Sequence, residues 1–288
     1  MRIVSLIPSG TEIVASLGLA ESLVGRTHEC DYPPSVATTP VVTSSDISQS
    51  ASSADIDRAV RESLKDDAGL YHVDVDAVVD LEPDLIITQT LCDVCAVSPT
   101  ALQAAMDRFA SKPTWIDLTP TTLEEVFDSI LLVAAGVDRV HVGEVVIEQL
   151  RARVEAVEDR ASRLKYRPLG MLLEWTDPPF AAGHWNPELM KFAGCQNAFG
   201  TRGERSEQIA WQDIARVDPE FIYVACCGFD ADRGKHEVDD LEQHPVWNSL
   251  AAVKTNNVFV GDGSAHFNRP GPRLLDGLEH LVGCVESL

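Results

Sequence analysis

TTLEEVFDSILLVAAG, residues 121–136, is the stretch around which this chain is organised. Leu123 and Phe127, with the other apolar residues of the stretch, recur at the i, i+3, i+4, i+7 spacing of an amphipathic helix. Thr122 and Glu125 form the pattern of a capping box, in which a hydroxyl and a carboxylate each satisfy a backbone N–H. The stretch therefore predicts a helix whose start is specified by the local sequence.

A repeated pattern lies on either side of this helix. VDAVVDLEPDLIIT, residues 75–88, and WQDIARVDPEFIYV, residues 211–224, align without gaps on Pro83 and Pro219. Each segment combines an amphipathic helical turn, an acid–Pro break and an apolar run typical of a buried strand. A unit used twice around one helix predicts two similar α/β lobes rather than one continuous sheet, although so common an element can also recur by chance.

The alternation of helices and strands specifies the fold class and the domain organisation. It predicts an α/β protein with mostly parallel sheets. We expect an N-terminal lobe over residues 1–120, a linking helix over 121–137 and a C-terminal lobe over 138–288. In such sheets ligands bind beyond the carboxyl ends of the strands, so the loops at those ends are the candidate site.

Composition excludes several classes of protein. The 288 residues are 45% apolar and 24% charged, as in a soluble globular protein with a substantial core. The formal charge of −22 argues against nucleic-acid binding and against docking on anionic lipid, both of which need a cationic face. No apolar run is long enough to span a bilayer, so we expect no membrane insertion.

The N-terminus and the cysteines bear on the cellular location. Met1 leads directly into an apolar segment that predicts a first strand, and no secretion signal is recognisable. We expect a cytoplasmic protein if Met1 is the native start, and an extracytoplasmic one if a leader has been removed. The seven cysteines are an odd number and include Cys92-x-x-Cys95, which is untypical of a secreted disulfide framework and favours a reducing compartment.

Several separated motifs together resemble one family. They are RIVSLIPSGTEIVASLGL at residues 2–19, CDYPP at 30–34, EPDLII at 82–87, TLEEVFDSI at 122–130 and NRPGPRLLDGLE at 268–279. In this order they are similar to the class III solute-binding proteins, the binding components of ABC importers for cobalamin and metal chelates. The cobalamin-binding branch is the nearest match.

The resemblance implies a fold and a function. It implies two Rossmann-like lobes joined by a single helix, with cobalamin or a related corrinoid held in the cleft between them. Because a short linking helix permits only modest closure of the lobes, we expect little hinge motion. It also implies an ABC transporter permease as partner, but only if the protein is exported. The alternatives are a cytoplasmic metal-thiolate or redox protein, possibly an enzyme, on the same scaffold, and an importer component whose leader was removed.

A set of side chains at the predicted strand ends would contact such a ligand. Aromatic rings would give apolar contact, prolines would hold the loops in shape, and polar side chains would fix the ligand's orientation. A histidine among them would supply an axial imidazole, although a satisfied surface histidine is an equally good interpretation. The candidate residues are Tyr32, Gln89, Trp175, Asp177, Phe180, His184, Trp185, Phe267 and Arg269.

Thiols at the same strand ends suggest a different site. A Cys-x-x-Cys pair lets two thiolates reach one zinc or iron ion, and a nearby histidine or cysteine could complete a tetrahedral set. The alternative is that these are small buried apolar residues, as free cysteines often are. The candidate metal ligands are His28, Cys30, Cys92, Cys95, Cys226 and Cys227.

No catalytic set is recognisable. The chain has no Gly-x-Ser-x-Gly elbow and no His-Glu-x-x-His motif. The turn after the first strand, Ser9-Gly10-Thr11, lacks the glycine fingerprint and the lysine of nucleotide-binding loops. The sequence therefore favours a binding protein over an enzyme.

Overall fold

The computed structural model of the protein describes residues 1–48, 51–65, 71–89 and 108–288. The chain divides into two compact units. Unit 1 comprises Met1–Pro120 and Glu125–Glu148, and unit 2 comprises Thr121–Glu124 and Gln149–Leu288. Most of the segment predicted to link the lobes, together with residues 138–148, therefore groups with unit 1.

Unit 1 is an α/β unit built on a parallel sheet. Its strands are β1 Ile3–Ser5, β2 Leu23–Arg26, β3 Thr43–Ser45, β4 Tyr71–Val73, β5 Leu85–Thr88 and β6 Thr114–Asp117. Its helices before Pro120 are α1 Pro8–Ser16, α2 Ser53–Lys65 and α3 Val75–Asp80. The main sheet has the order β2-β1-β5-β6 and is parallel throughout, while β3 and β4 form a separate antiparallel pair.

The core of unit 1 follows from the apolar strands that the sequence predicts. Val4 in β1 and Ile86 in β5 are fully buried, and Val78 in α3 packs with them. Both faces of a parallel sheet are covered by other elements, so its strands are continuous apolar runs rather than alternating ones. The four buried residues of β5 fit this pattern.

Two long helices follow unit 1's sheet in the sequence, α4 Leu123–Gly136 and α5 Val140–Ser162. The helix predicted from residues 121–136 is confirmed. A long-range contact also fixes its first turn, because the Leu123 backbone N–H donates to Oε2 of Glu188 at 2.9 Å. A carboxylate at a helix N-terminus satisfies an N–H that has no partner inside the helix.

Unit 2 is a mixed α/β unit. Its strands are β7 Leu169–Thr176, β8 Pro179–Ala181, β9 Gln196–Asn197, β10 Glu207–Gln208, β11 Phe221–Val224 and β12 Val258–Val260. Its helices are α6 Asn186–Phe192, α7 Trp211–Val217, α8 Ala231–Leu241, α9 Ala251–Lys254, α10 Gly263–His266 and α11 Leu274–Glu286. The sheet has the order β10-β8-β7-β11-β12, and β9 pairs with β7. Strands β7, β11 and β12 are parallel, whereas β8 and β10 are antiparallel additions at one edge.

The two copies of the sequence repeat form the same helix–strand element, one copy in each unit. Residues 75–88 form α3 and β5, and residues 211–224 form α7 and β11. In unit 1 the Arg2 backbone N–H donates to Oδ2 of Asp84 at 2.7 Å, just before β1 pairs with β5. In unit 2 the Leu169 backbone N–H donates to Oε2 of Glu220 at 2.9 Å, just before β7 pairs with β11. The predicted fold class, two α/β lobes with mostly parallel sheets, is confirmed.

Among the residues that the structure describes, no helix combines the length and the apolar character needed to cross a bilayer.

Candidate ligand-binding surface

A half-buried tryptophan lies at the carboxyl edge of unit 2's sheet. Trp175 is the penultimate residue of β7, and its cross-strand neighbour in β8 is Phe180, which is also half-buried. Directly opposed residues of an antiparallel pair project to the same face of the sheet. Trp175 and Phe180 thus give this edge an apolar surface at the place where parallel sheets bind ligands.

A second ring supports Trp175 from within the unit. Phe229 follows β11, the strand next to β7, and its ring centroid lies 5.0 Å from that of Trp175 at an interplanar angle of 39°. The guanidinium carbon of Arg233 lies 4.8 Å from the centroid of the Phe229 ring. Phe229 itself is buried. The surface residue is therefore Trp175, and Phe229 is its packing partner.

His184 is fixed in an unusual backbone conformation three residues after the end of β8. Its φ of 54° is left-handed, which is uncommon for a residue with a side chain. Its backbone N–H donates to the carbonyl of Glu204 at 2.6 Å, and the preceding Gly183 N–H donates to Oγ of Ser206 at 3.0 Å. Ser206 in turn donates to Glu174 at 2.7 Å. The loop carrying His184 is thus held by hydrogen bonds on both sides.

The imidazole of His184 is suited to remain neutral. Its Nδ1 is buried and has no hydrogen-bond partner within the described part of the chain. Burial, and secondarily the positive charge of Arg205, lowers the pKa of His184 below the usual value for histidine. A neutral imidazole has one ring nitrogen available as an acceptor or as a metal ligand.

Two of the aromatic residues expected on the ligand surface lie in the core of unit 2 instead. Trp185 is 4% exposed and Phe267 is fully buried. The Trp185 indole N–H donates to the backbone carbonyl of Phe267 at 2.8 Å, which satisfies its one polar group. The Trp185 side chain is thus tied to the Phe267 backbone, and both rings are buried inside unit 2 in this structure. This corrects the expected ligand contact.

The two charged candidates differ in accessibility. Asp177 is exposed at the turn between β7 and β8. Arg269 is buried, with 8% of its surface exposed, so it is not the open ligand-orienting group that the sequence suggests. Its neighbour Asn268 donates from Nδ2 to the carbonyls of Ala225 and Gly263, both at 3.0 Å, which fastens the segment to the end of β11.

In unit 1 the candidate ligand-binding residues follow β2 and β5. Tyr32 is 44% exposed and lies in the loop after β2, while Gln89 is half-buried and comes directly after β5. His28, in the same loop as Tyr32, stacks on Tyr71 with ring centroids 5.4 Å apart. Its Nδ1 lies 2.7 Å from Oγ1 of Thr43. Tyr32 and Gln89 thus lie at the carboxyl edge of unit 1's sheet.

Among the described residues, the candidate thiols are not brought together as a metal site. Cys30 is buried with its sulfur 3.0 Å from Oγ1 of Thr11, and Cys226 is buried while Cys227 is exposed. Burial raises the pKa of the Cys226 thiol far above its usual value, which opposes formation of a thiolate.

The placement of the other potential metal ligands agrees. Cys92 and Cys95 lie outside the described residues. Within residues 1–48, 51–65, 71–89 and 108–288, no three histidine, cysteine or acidic side chains are placed to hold a metal ion. The alternative interpretation as a metal-thiolate or redox protein has no support.

Several residues of this surface were absent from the sequence-based list. They are Phe229, Arg233 and Glu237 in and before α8, and Glu174 in β7. The spacing of Arg233 and Glu237 predicts an ordinary i, i+4 ion pair on a helix. Nothing in the local pattern shows that Arg233 lies over the Phe229 ring or that Glu237 binds the hydroxyl of Thr176 in β7.

Comparison with known protein families gives a match over most of the chain. The model of the family described as periplasmic binding protein matches residues 3–265. A curated vitamin B12-binding protein of Vibrio cholerae serotype O1 is 23% identical over 284 residues, covering 97% of this chain and 87% of its own. An uncharacterised ABC transporter substrate-binding lipoprotein of Bacillus subtilis, YvrC, is 23% identical over 294 residues, covering 99% of this chain and 79% of its own.

A comparison with solved structures gives the same fold. The periplasmic heme-binding protein RhuT from Roseiflexus sp. RS-1, in its apo form, superimposes with a TM-score of 0.74 at 22% sequence identity. The match covers 99% of this chain and 98% of that chain. At this level of identity the likeness establishes the architecture of the chain.

Proposed function

Because this chain belongs to the periplasmic binding protein family, we propose that it is the substrate-binding component of an ABC importer and that its ligand is cobalamin or a related corrinoid. The observation that carries the proposal is the similarity to vitamin B12-binding proteins over 97% of the chain. It extends through both units rather than being limited to one motif.

The surface described above suits such a ligand. A corrinoid is a large, nearly flat metal chelate with apolar ring faces and a rim of amide groups. Trp175 and Phe180 would contact the apolar parts, because aromatic side chains bury a large area with little loss of side-chain freedom. The exposed carboxylate of Asp177 would accept hydrogen bonds from amide N–H groups.

His184 would contribute through its neutral imidazole. Its lowered pKa keeps the ring uncharged near neutral pH, which is the form that can ligate a metal or accept a hydrogen bond. Its backbone is held by Glu204, so little conformational freedom is lost on binding. Tyr32 and Gln89 of unit 1 are the corresponding candidates at the carboxyl edge of the other sheet.

The proposed importer role leads to two further proposals, one about the partner and one about the cellular location. The partner would be an ABC transporter permease, as expected for a protein similar to a substrate-binding lipoprotein. The protein would then act on the outer side of the cytoplasmic membrane. Cell fractionation of the native host, with the full-length gene product detected by antibody, tests this location.

Calorimetric titration of the purified protein with cyanocobalamin tests the ligand. We expect saturable one-to-one binding that haemin displaces weakly or not at all. Trp175→Leu should weaken the affinity about tenfold or more, as loss of a large aromatic contact typically does. Trp211→Leu is the matched control, because Trp211 stacks on His244 and packs edge-on against Trp247 rather than against Trp175.

Three outcomes would contradict the proposal. Absence of cyanocobalamin binding by the folded wild-type protein would exclude the corrinoid. Equal loss of affinity in Trp175→Leu and Trp211→Leu would place the binding surface elsewhere. Tight binding of haemin alone would move the assignment to a haem ligand, as in the structurally similar haem-binding protein.

A further inference from the structure

A buried carboxylate in unit 2 contacts two residues beside the ligand surface. Glu237 in α8 is only 3% exposed. Its Oε1 accepts from Nε and Nη2 of Arg233, a partly exposed residue one turn earlier in the same helix, at 3.1 and 2.8 Å. Its Oε2 accepts from the hydroxyl of Thr176 at 2.9 Å. One carboxylate oxygen of Glu237 thus binds within helix α8, and the other joins that helix to strand β7.

Each of these partners lies next to one ring of the aromatic pair. Thr176 is the residue after Trp175 in β7, so its hydrogen bond to Glu237 fastens the strand end that carries the tryptophan. Arg233 lies with its guanidinium 4.8 Å from the centre of the Phe229 ring, whose centroid is 5.0 Å from that of Trp175. One carboxylate therefore holds both the backbone under Trp175 and the ring against which Trp175 packs.

We propose that Glu237 and Arg233 are positioning residues of the ligand-binding surface: they hold the Trp175 ring in the orientation that contacts ligand. This inference rests on the proposed function for the identity of the ligand, but not for the geometry of Trp175. Neither residue needs to touch the ligand, because both act through Phe229 and Thr176.

The energetics of burial favour positioning over stability as the role of this pair. Taking the Glu237 carboxylate and part of the Arg233 side chain out of water costs free energy that their mutual attraction only partly offsets, and well-packed apolar residues of similar size often stabilise a protein as well or better. What these contacts supply is directionality. The hydrogen bond from Thr176 to Glu237 fixes the distance between α8 and β7, and the ion pair within α8 fixes the Arg233 guanidinium over Phe229, whereas apolar contacts tolerate sliding.

The test uses a double variant that removes both charges together. Arg233→Met with Glu237→Leu leaves no unpaired buried charge, so we expect the thermal midpoint to stay close to that of the wild type. The matched control is Asp232→Asn, which breaks the exposed ion pair with Lys235 on the same helix. Because both side chains of that pair are largely exposed, Asp232→Asn should change neither the Trp175 signal nor the ligand affinity that are measured below.

The first readout needs no ligand. The contribution of Trp175 to the near-ultraviolet circular dichroism is obtained as the difference between each protein and its Trp175→Phe derivative. We expect this contribution to fall strongly in the double variant and to be unchanged in Asp232→Asn. An unchanged Trp175 signal in a folded double variant would overturn the proposal, whatever the ligand is.

The second readout is affinity for cyanocobalamin. We expect the double variant to bind about tenfold more weakly. In a Phe229→Leu background, where the aromatic link is already broken, the same two substitutions should have much less effect. If the loss of affinity caused by Phe229→Leu and the loss caused by the double variant were fully additive, coupling through Phe229 would be refuted. Failure of the wild type to bind cyanocobalamin would contradict the proposed ligand, while the Trp175 signal would still decide the positioning role.

Discussion

Glu82 and Asp218 occupy equivalent positions in the two units and adopt the same left-handed backbone, with φ of 43° and 48°. Each follows the helix of the repeat and precedes its proline, Pro83 or Pro219. A residue before proline is restricted to extended conformations by steric contact, and a left-handed non-glycine residue is disfavoured in addition. The same strained turn is therefore the point at which each helix is redirected into a buried strand.

This turn leads to the first prediction. Glu82→Gly should raise the free energy of unfolding by about 0.5–1 kcal/mol, because glycine adopts a positive φ without steric cost and this gain exceeds its larger loss of chain entropy. Chemical denaturation of wild type and variant at pH 7 measures the difference. A destabilised Glu82→Gly would show that the turn is not strained.

The equivalent change in unit 2 is the control for that prediction. Oδ1 of Asp218 accepts a hydrogen bond from the backbone N–H of Ala251 at 2.7 Å, at the start of α9. Asp218→Gly relieves the same backbone strain but removes this bond, worth about 1 kcal/mol. We therefore expect Asp218→Gly to be neutral or destabilising where Glu82→Gly stabilises.

Arg153 on α5 is expected to contribute measurably to the stability of unit 2. Its guanidinium donates to both carboxylate oxygens of Glu279, at 2.7 and 2.8 Å, and to Asp276 at 2.6 Å, which joins α5 to α11. Arg153→Met should lower the free energy of unfolding by about 1 kcal/mol, a modest value because the three side chains are partly exposed.

An arginine immediately after the same helix provides the comparison. Arg163 pairs with Asp159 in the last turn of α5, and both side chains are largely exposed. Arg163→Met should change the free energy of unfolding by less than about 0.5 kcal/mol. Urea denaturation of the two variants in parallel measures the difference, and equal effects would refute the assigned role of the Arg153 contacts.

Gly263 is expected to tolerate no side chain. A Cβ at this position would lie 2.1 Å from the backbone carbonyl oxygen of Cys226, at the end of β11. Gly263→Ala should cost about 2 kcal/mol, because backbone must move to accommodate it. Gly283→Ala in α11, where the nearest atom is 3.8 Å away, should instead stabilise by about 0.5–1 kcal/mol. Thermal denaturation that ranked the two variants in the opposite order would contradict this packing.

The buried thiols predict a loss of stability at alkaline pH. Burial raises the pKa of Cys195 to about 12 and that of Cys284 to about 11, from an ordinary value of 9.0. Above pH 9 the unfolded chain therefore loses protons that the folded chain retains. The free energy of unfolding should fall from pH 9 toward pH 11 by up to about 1.4 kcal/mol per pH unit for each thiol.

Urea denaturation at pH 8, 9, 10 and 11 measures this slope, and the Cys195→Ala variant provides its control. Alanine removes one of the thiols whose pKa is raised by burial, so its slope should be shallower than that of the wild type. Identical slopes would mean that the Cys195 thiol ionises alike in the folded and unfolded chains.

The repeat and its helix–strand order could be predicted from the sequence because the signals are local. Apolar periodicity specifies α4, and the acid–Pro breaks before β5 and β11 act over a few residues. The parallel topology alone also predicts that Trp175 and Asp177 lie at the carboxyl edge of the sheet. The local sequence pattern is therefore sufficient to predict the helices and strands and the edge of the sheet at which the ligand-binding loops lie.

Which side chains at that edge face outward could not be predicted. Trp185 is buried, and its indole N–H donates to the backbone carbonyl of Phe267, 82 positions away in the sequence. The Thr176 hydroxyl meets Glu237 across 61 positions. In sequence Glu237 resembles any acid on a charged helix, and only tertiary packing makes it a buried partner of a strand. Burial of a strand-end side chain depends on contacts that no window of sequence contains.

The turn shared by the two units has a consequence for how repeats of this kind are recognised. Of the fourteen aligned positions in its two copies, only the proline and one isoleucine, Ile86 and Ile222, are identical. The main chain nevertheless follows the same left-handed turn from helix to strand in both copies. Comparison of backbone torsions should therefore detect such internal repeats where comparison of residue identities does not.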